Sequence, residues 1–133
     1  MIDIETATSR IEAYMKAHKI TISNKVQKAE PSLFCGTESF YKKHKGNKIY
    51  IYCHANGNYE GQVFLVKEGI GHYYENIGTD CRGFLGLPVS DEYRCDDGST
   101  RSDFQGGYIK WLKTENKLLI YQCQLIDTHE FKS

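Results

Sequence analysis

Residues 83–111 read GFLGLPVSDEYRCDDGSTRSDFQGGYIKW, and the fold is decided there. Leu85-Gly86-Leu87-Pro88 opens the stretch. Pro88 fixes its own φ and ends ladder pairing, while Gly86 allows a tight backbone approach. Asp91 and Glu92 are placed to cap backbone amides or to pair with Arg94 or Arg101, and Asp97-Gly98 is a turn pair. Gly106-Gly107 then leads into Tyr108-Ile109-Lys110-Trp111. With residues 117–125 after a turn at Thr114-Glu115-Asn116-Lys117, this reads as a β-hairpin. Trp111, the only tryptophan, is expected to anchor this sheet against a helix.

Upstream lies a second hairpin signature. Ile49-Tyr50-Ile51-Tyr52 is β-branched and aromatic, His54-Ala55-Asn56-Gly57-Asn58 supplies turn chemistry, and Gln62-Val63-Phe64-Leu65-Val66 follows. Next, Ile70, Tyr73, Tyr74 and Ile77 recur at helical spacing, so residues 67–77 read as a short helix stopped near Gly78. Gly69 and Gly71 weaken that helix by about 1 kcal/mol each relative to alanine, so packing must hold it. At the N-terminus, Ile4, Ala7, Ile11, Met15 and His18 form one stripe of a helix over residues 3–18, with Asp3 as N-cap. That helix packs on its own domain or docks a partner. Ile20 and Ile22 alternate as in a short strand, and Pro31 marks a turn. The basic run Lys42-Lys43-His44-Lys45 reads as a solvated loop or as an anion site.

A comparison of the chain with itself at an offset of about 60 residues pairs Cys35 with Cys95, Ser39 with Ser99 and Gly46 with Gly106. It also pairs Ile49 with Ile109, Asn56 with Asn116, Gln62 with Gln122 and Leu65 with Leu125. The matches fall at hairpin starts, turns and ends, so an internal duplication is expected.

The order FLGLP, SDE, DG, FQGGYIKW resembles the LGFP repeat, a small module found in many copies on bacterial cell-wall proteins. One full unit and part of a second cover roughly residues 46–126. Leu85, Gly86 and Pro88 match its defining positions, with Leu87 where the family often has an aromatic residue. Gly106, Gly107, Ile109 and Trp111 match its strand entry. The resemblance implies a binding module, and for exported members a polysaccharide ligand of the cell envelope.

Composition narrows the classes. Lys+Arg and Asp+Glu both number 17 in 133 residues, which gives no basic face for nucleic acid and no support for an anionic membrane surface. No stretch is long and apolar enough to span a bilayer. The N-terminus Met1-Ile2-Asp3-Ile4-Glu5 has neither the basic nor the apolar region of a secretion signal. Five widely spaced cysteines, none in a CxxC pair, read as reduced thiols of a cytoplasmic protein.

Reactive chemistry is poorly supplied. Cys53 and His54 are neighbours on a strand and face opposite ways. Cys81 stands between Asp80 and Arg82, where the arginine would lower its pKa, so a small cysteine hydrolase is the third reading. No zinc-type ligand spacing or phosphate-cradling glycine loop occurs, and no metal or cofactor is expected. Tyr50 and Tyr52 share one strand face opposite Ile49 and Ile51, so they are expected to point outward, with Tyr59 and Tyr121 nearby. Aromatic faces with polar tips suit a protein hot spot or sugar rings. The expectation is one α+β domain over residues 1–133, made of an N-terminal helix, two related hairpins and a short helix between them. It is read as a non-catalytic recognition module for another protein, or alternatively for envelope polysaccharide.

Overall fold

The computed structural model describes residues 1–131. Helix α1, Ile4–Ala17, starts at Asp3, whose carboxylate accepts the Thr6 amide at 2.8 Å. It buries Ala7, Ile11 and Met15, whereas Ile4 and His18, the ends of the expected stripe, stay exposed. The first sheet is an antiparallel meander in the order β1 (Gln27–Lys28), β2 (Ser39–His44), β3 (Ile49–His54), β4 (Val63–Lys67). Helix α2, Glu68–Asn76, follows β4 directly. The second sheet is also antiparallel, in the order β5 (Tyr93–Arg94), β6 (Thr100–Phe104), β7 (Gly107–Leu112), β8 (Lys117–Gln122), β9 (Gln124–Glu130). This is the small α+β architecture read from the sequence.

The layering follows from side-chain alternation along β3. Ile51 and Cys53 face α1 and join Ala7, Ile11, Met15 and Phe40 in one apolar cluster. Tyr50 and Tyr52 face the other way, into a larger cluster with Tyr73 and Tyr74 of α2 and Ile109, Leu118 and Ile120 of the second sheet. Both faces of the first sheet are therefore covered. Tyr50 is 2% exposed and Tyr52 0%, so the outward tyrosine face expected on β3 does not exist. Alternation showed which side chains share a face; it did not show that a second layer covers that face.

Helix α2 is held between the sheets by its glycines. A Cβ on Gly71 would lie 3.0 Å from the Tyr50 ring, and one on Gly69 would lie 2.8 Å from the Trp111 ring. Trp111 thus anchors the second sheet against α2, as expected. Helix α2 ends without a glycine stop: Gly78 is not left-handed, and the reversal falls on Thr79 and Asp80, at φ 65° and 48°.

Residues 83–92 run between the two sheets as a strap. Leu85 and Leu87 are fully buried. Gly86 has φ 72°, its carbonyl accepts the Tyr74 hydroxyl, and a Cβ there would lie 2.5 Å from Phe34. Pro88 does not end pairing as expected: it bridges to Phe104, with the Gln105 amide on the Leu87 carbonyl and the Val89 amide on the Asp103 carbonyl. Its own carbonyl receives His54 Nε2 at 2.7 Å. Side-chain space at Gly106 is filled by Phe34 and the Phe84 carbonyl, and at Gly107 by the Tyr121 carbonyl of β8. Asp91 accepts the Leu65 amide at 2.8 Å, which caps the outer edge of β4, while Arg101 pairs with Asp103 instead.

Three local expectations are corrected. Residues 20–22 form no strand: Ile20 closes the end of α1 through its amide on the Met15 carbonyl, and Ile22 is buried in the α1 cluster. Lys42, Lys43 and His44 lie on β2 rather than in a loop, with Lys42 held by Glu12 at 2.6 Å. Leu65 and Leu125 do not correspond, since the first is buried on β4 and the second exposed on β9.

Candidate functional site

With β3 turned inward, exposed Tyr93 and half-buried Tyr108 and Tyr121 mark the outer face of the second sheet. Its register sets Tyr93 beside Arg101, Asp103 beside Tyr108, and Tyr108 beside Tyr121. Side chains alternate on each strand. Ser102, Phe104, Ile109, Leu118 and Ile120 are buried inward, so Arg101, Asp103, Tyr108 and Tyr121 point out. Leu125 of β9, 48% exposed and paired with Tyr121, extends the same face.

The centre of this face is an ordered stack. The Tyr108 and Tyr121 rings lie parallel, with centroids 4.5 Å apart and planes 16° from parallel. From the strand on the opposite side of β7, the Arg101 guanidinium sits 3.5 Å from the Tyr108 centroid. Its Nε donates to Asp103 at 2.6 Å, and the Tyr93 hydroxyl donates to the other Asp103 oxygen at 2.8 Å. Burial and that hydrogen bond push the Tyr93 phenol up to about 12, so it remains a donor at neutral pH. Below the stack Lys110 reaches Asp97 at 2.8 Å, which holds the Asp97 carboxyl below the usual carboxylate range. The arrangement presents ring edges and a fixed, partly exposed guanidinium, and both faces of the Tyr108 ring are taken.

Of the expected binding tyrosines, only Tyr121 belongs here. Tyr50 and Tyr52 are core residues: the Tyr52 hydroxyl donates to Glu75 at 2.6 Å, and burial raises its pKa well above the ordinary phenol value. Tyr59, 37% exposed, lies elsewhere, in a groove with Phe34, Thr37, Asn58 and Gln105, edge-on to Phe64 and beside His54. The sequence reading missed Tyr93, Arg101 and Tyr108. The signal was available, since Tyr108 and Lys110 share the face opposite Ile109 on a strand entered through two glycines.

The remaining motif residues, Leu85, Gly86, Pro88, Gly106, Gly107 and Trp111, all serve packing and turns. Cys81 makes a poor nucleophile. It is 2% exposed, and burial first and the adjacent Asp80 second push its thiol up to about 12. The arginine expected to activate it is engaged by Asp80, through Nε at 3.1 Å and an Nη at 3.0 Å. Burial likewise raises Cys53, to about 11, and all five cysteines are free thiols. Among the described residues no helix is long and apolar enough to cross a membrane. No protein-family model, no curated protein and no solved structure matches this chain.

Proposed function

We propose that this chain is a non-catalytic recognition module of the cytoplasm that binds another protein through the outer face of its second sheet. The observation that carries the reading is the Tyr121–Tyr108–Arg101 stack. Tyrosine and arginine are the side chains that dominate protein interfaces. Here they are already immobilised, so the entropy usually lost when an interface orders is lost on folding instead. The Arg101 fork, fixed by Asp103 at one nitrogen, suits a partner carboxylate. Five unpaired cysteines fit a reducing compartment.

The polysaccharide reading implied by the LGFP resemblance stands second. Sugar rings stack on open aromatic faces, and both faces of Tyr108 are covered. Tyr59 in its separate groove offers the better platform for that alternative. An internal duplication also remains our reading. It rests on the shared layout of a two-residue outer strand followed by a three-stranded ribbon in β1–β4 and in β5–β8. Corresponding amide bonds support it, Ala29 to Ser39 at 3.0 Å and Cys95 to Ser99 at 2.8 Å.

The test is affinity capture from native cells with the wild type, Tyr108→Ala, Arg101→Ala and, as control, Lys113→Ala. One protein retained by wild type and control and lost from both face variants supports the proposal. An unaccompanied wild-type monomer, or capture indifferent to the variants, overturns it. Binding to isolated cell wall that is lost with Tyr59→Ala would favour the polysaccharide reading.

A further inference from the structure

A second recess lies where β1, β2 and the end of α2 leave a cleft of about 560 Å³. That is the size range of small-molecule sites, roughly 300–1,000 Å³. Its floor is an ion pair: Glu75, almost wholly buried, takes Lys43 at 2.7 Å on one oxygen and the Tyr52 hydroxyl on the other. The Lys43 ammonium sits 4.2 Å from the centroid of the Tyr41 ring, which forms one wall. The opposite wall is the Asp80–Arg82 pair, brought together by the left-handed residues Thr79 and Asp80.

The charge count decides what fits. Lys25, Lys43, Lys45 and Arg82 line the cleft against two carboxylates, Glu75 and Asp80. Both carboxylates are engaged, by Lys43 and by Arg82. Lys25 and Lys45 have no carboxylate partner among the described residues. Lys25 also borders the groove beneath α1, which Glu5 and Glu12 line; Glu12 is taken by Lys42, and Glu5 lies beyond ion-pair distance of Lys25. Two exposed ammonium groups are therefore left without a counter-charge on the lining of a concave site, which favours one small counter-ion there. A cation is repelled, and a neutral ligand gains nothing from the two ammonium groups.

We propose that this cleft binds a small organic dianion, a phosphate monoester or a dicarboxylate, with its charge between Lys25 and Lys45 and its body against Tyr41. The inference is independent of the protein-binding face. Amide chemical shifts followed by NMR during titration with phenyl phosphate, with succinate and with uncharged glycerol test it. The expected result is saturable shifts for residues 24–27, 41–45 and 75–82 with at least one dianion and none with glycerol. Response to phenyl phosphate alone assigns the monoester, and to succinate alone the dicarboxylate. Lys25→Ala with Lys45→Ala weakens binding by about tenfold or more at low salt, because the neutralising charge is removed. Tyr108→Ala leaves it unchanged, which separates this site from the other. Shifts with neither dianion, equal shifts with glycerol, or affinity indifferent to the double substitution overturns the proposal.

Discussion

The Tyr14 hydroxyl of α1 donates to the Asp91 carboxylate at 2.9 Å, across 77 positions of sequence. The other oxygen of Asp91 accepts the Leu65 amide at 2.8 Å, so one carboxylate ties the first helix, the edge of the first sheet and the strap. Asp91→Ala strands the Leu65 amide and is expected to destabilise the protein by about 1–3 kcal/mol. Asp91→Asn keeps an acceptor and costs less. Urea unfolding of both variants checks this, and equal losses would contradict it.

Glu75 and His54 set opposing pH slopes. Burial raises the Glu75 pKa above 4.5, with Lys43 partly offsetting it. Its stabilising contribution is fully present below 4.5 and is lost as pH rises through the folded value. Burial lowers His54 below 6.5, with the Pro88 carbonyl opposing. Its contribution is present above 6.5 and lost as pH falls through the folded value. Glu75→Gln is thus expected to steepen the loss of stability on acidification between pH 6.5 and 4.5, and His54→Gln to flatten it. Denaturation midpoints across that range read both.

Breaking the Lys43–Glu75 pair costs more than the intact pair contributes. Lys43→Met leaves a carboxylate under Tyr52 with no counter-charge, a loss of about 3–5 kcal/mol at neutral pH. Lowering the pH protonates Glu75 and should recover part of that loss, whereas Lys43→Met combined with Glu75→Gln should be milder at every pH. Stability that does not recover in acid would count against this account.

Gly69→Ala raises helix propensity by about 1 kcal/mol, yet its methyl would meet the Trp111 ring at 2.8 Å. Net destabilisation is expected, with a change in the emission of the sole tryptophan. Gly69→Ala in a Trp111→Leu background should recover the propensity gain. Calorimetry and fluorescence decide the sign.

Thiol labelling follows burial and thiolate population. Cys35 and Cys123 are exposed and should react first with an aromatic disulfide, Cys95 next, and Cys53 and Cys81 only on unfolding. Mass mapping of the labelled peptides checks the order. Fast labelling of Cys81 would revive the hydrolase reading.

Period and punctuation brought both helices and the β3–β4 and β7–β8 hairpins into view, but not β1, β2, β5, β6 or β9. The stripe Ala7, Ile11, Met15 placed α1, and Asn56-Gly57 placed the β3–β4 turn, with Gly57 at φ 82°. Local signals ended where a third dimension began. Tyr50 and Tyr52 alternate with isoleucines just as half-exposed tyrosines would, and only the second sheet folding over β3 decides that they are core. The exposed row was hidden for the same reason: Tyr93, Arg101, Tyr108 and Tyr121 come from four strands and meet only through register. The cleft joins residues from positions 24 to 82, which no linear pattern links.

The strap has a bearing on how the chain can be cut. Because residues 83–92 fill space beneath Phe34 and Tyr74 while also belonging to the second sheet's approach, severing the molecule before or after them leaves neither piece with a closed interior. Anyone wishing to display the Tyr108 surface on its own scaffold will have to carry the N-terminal half along with it.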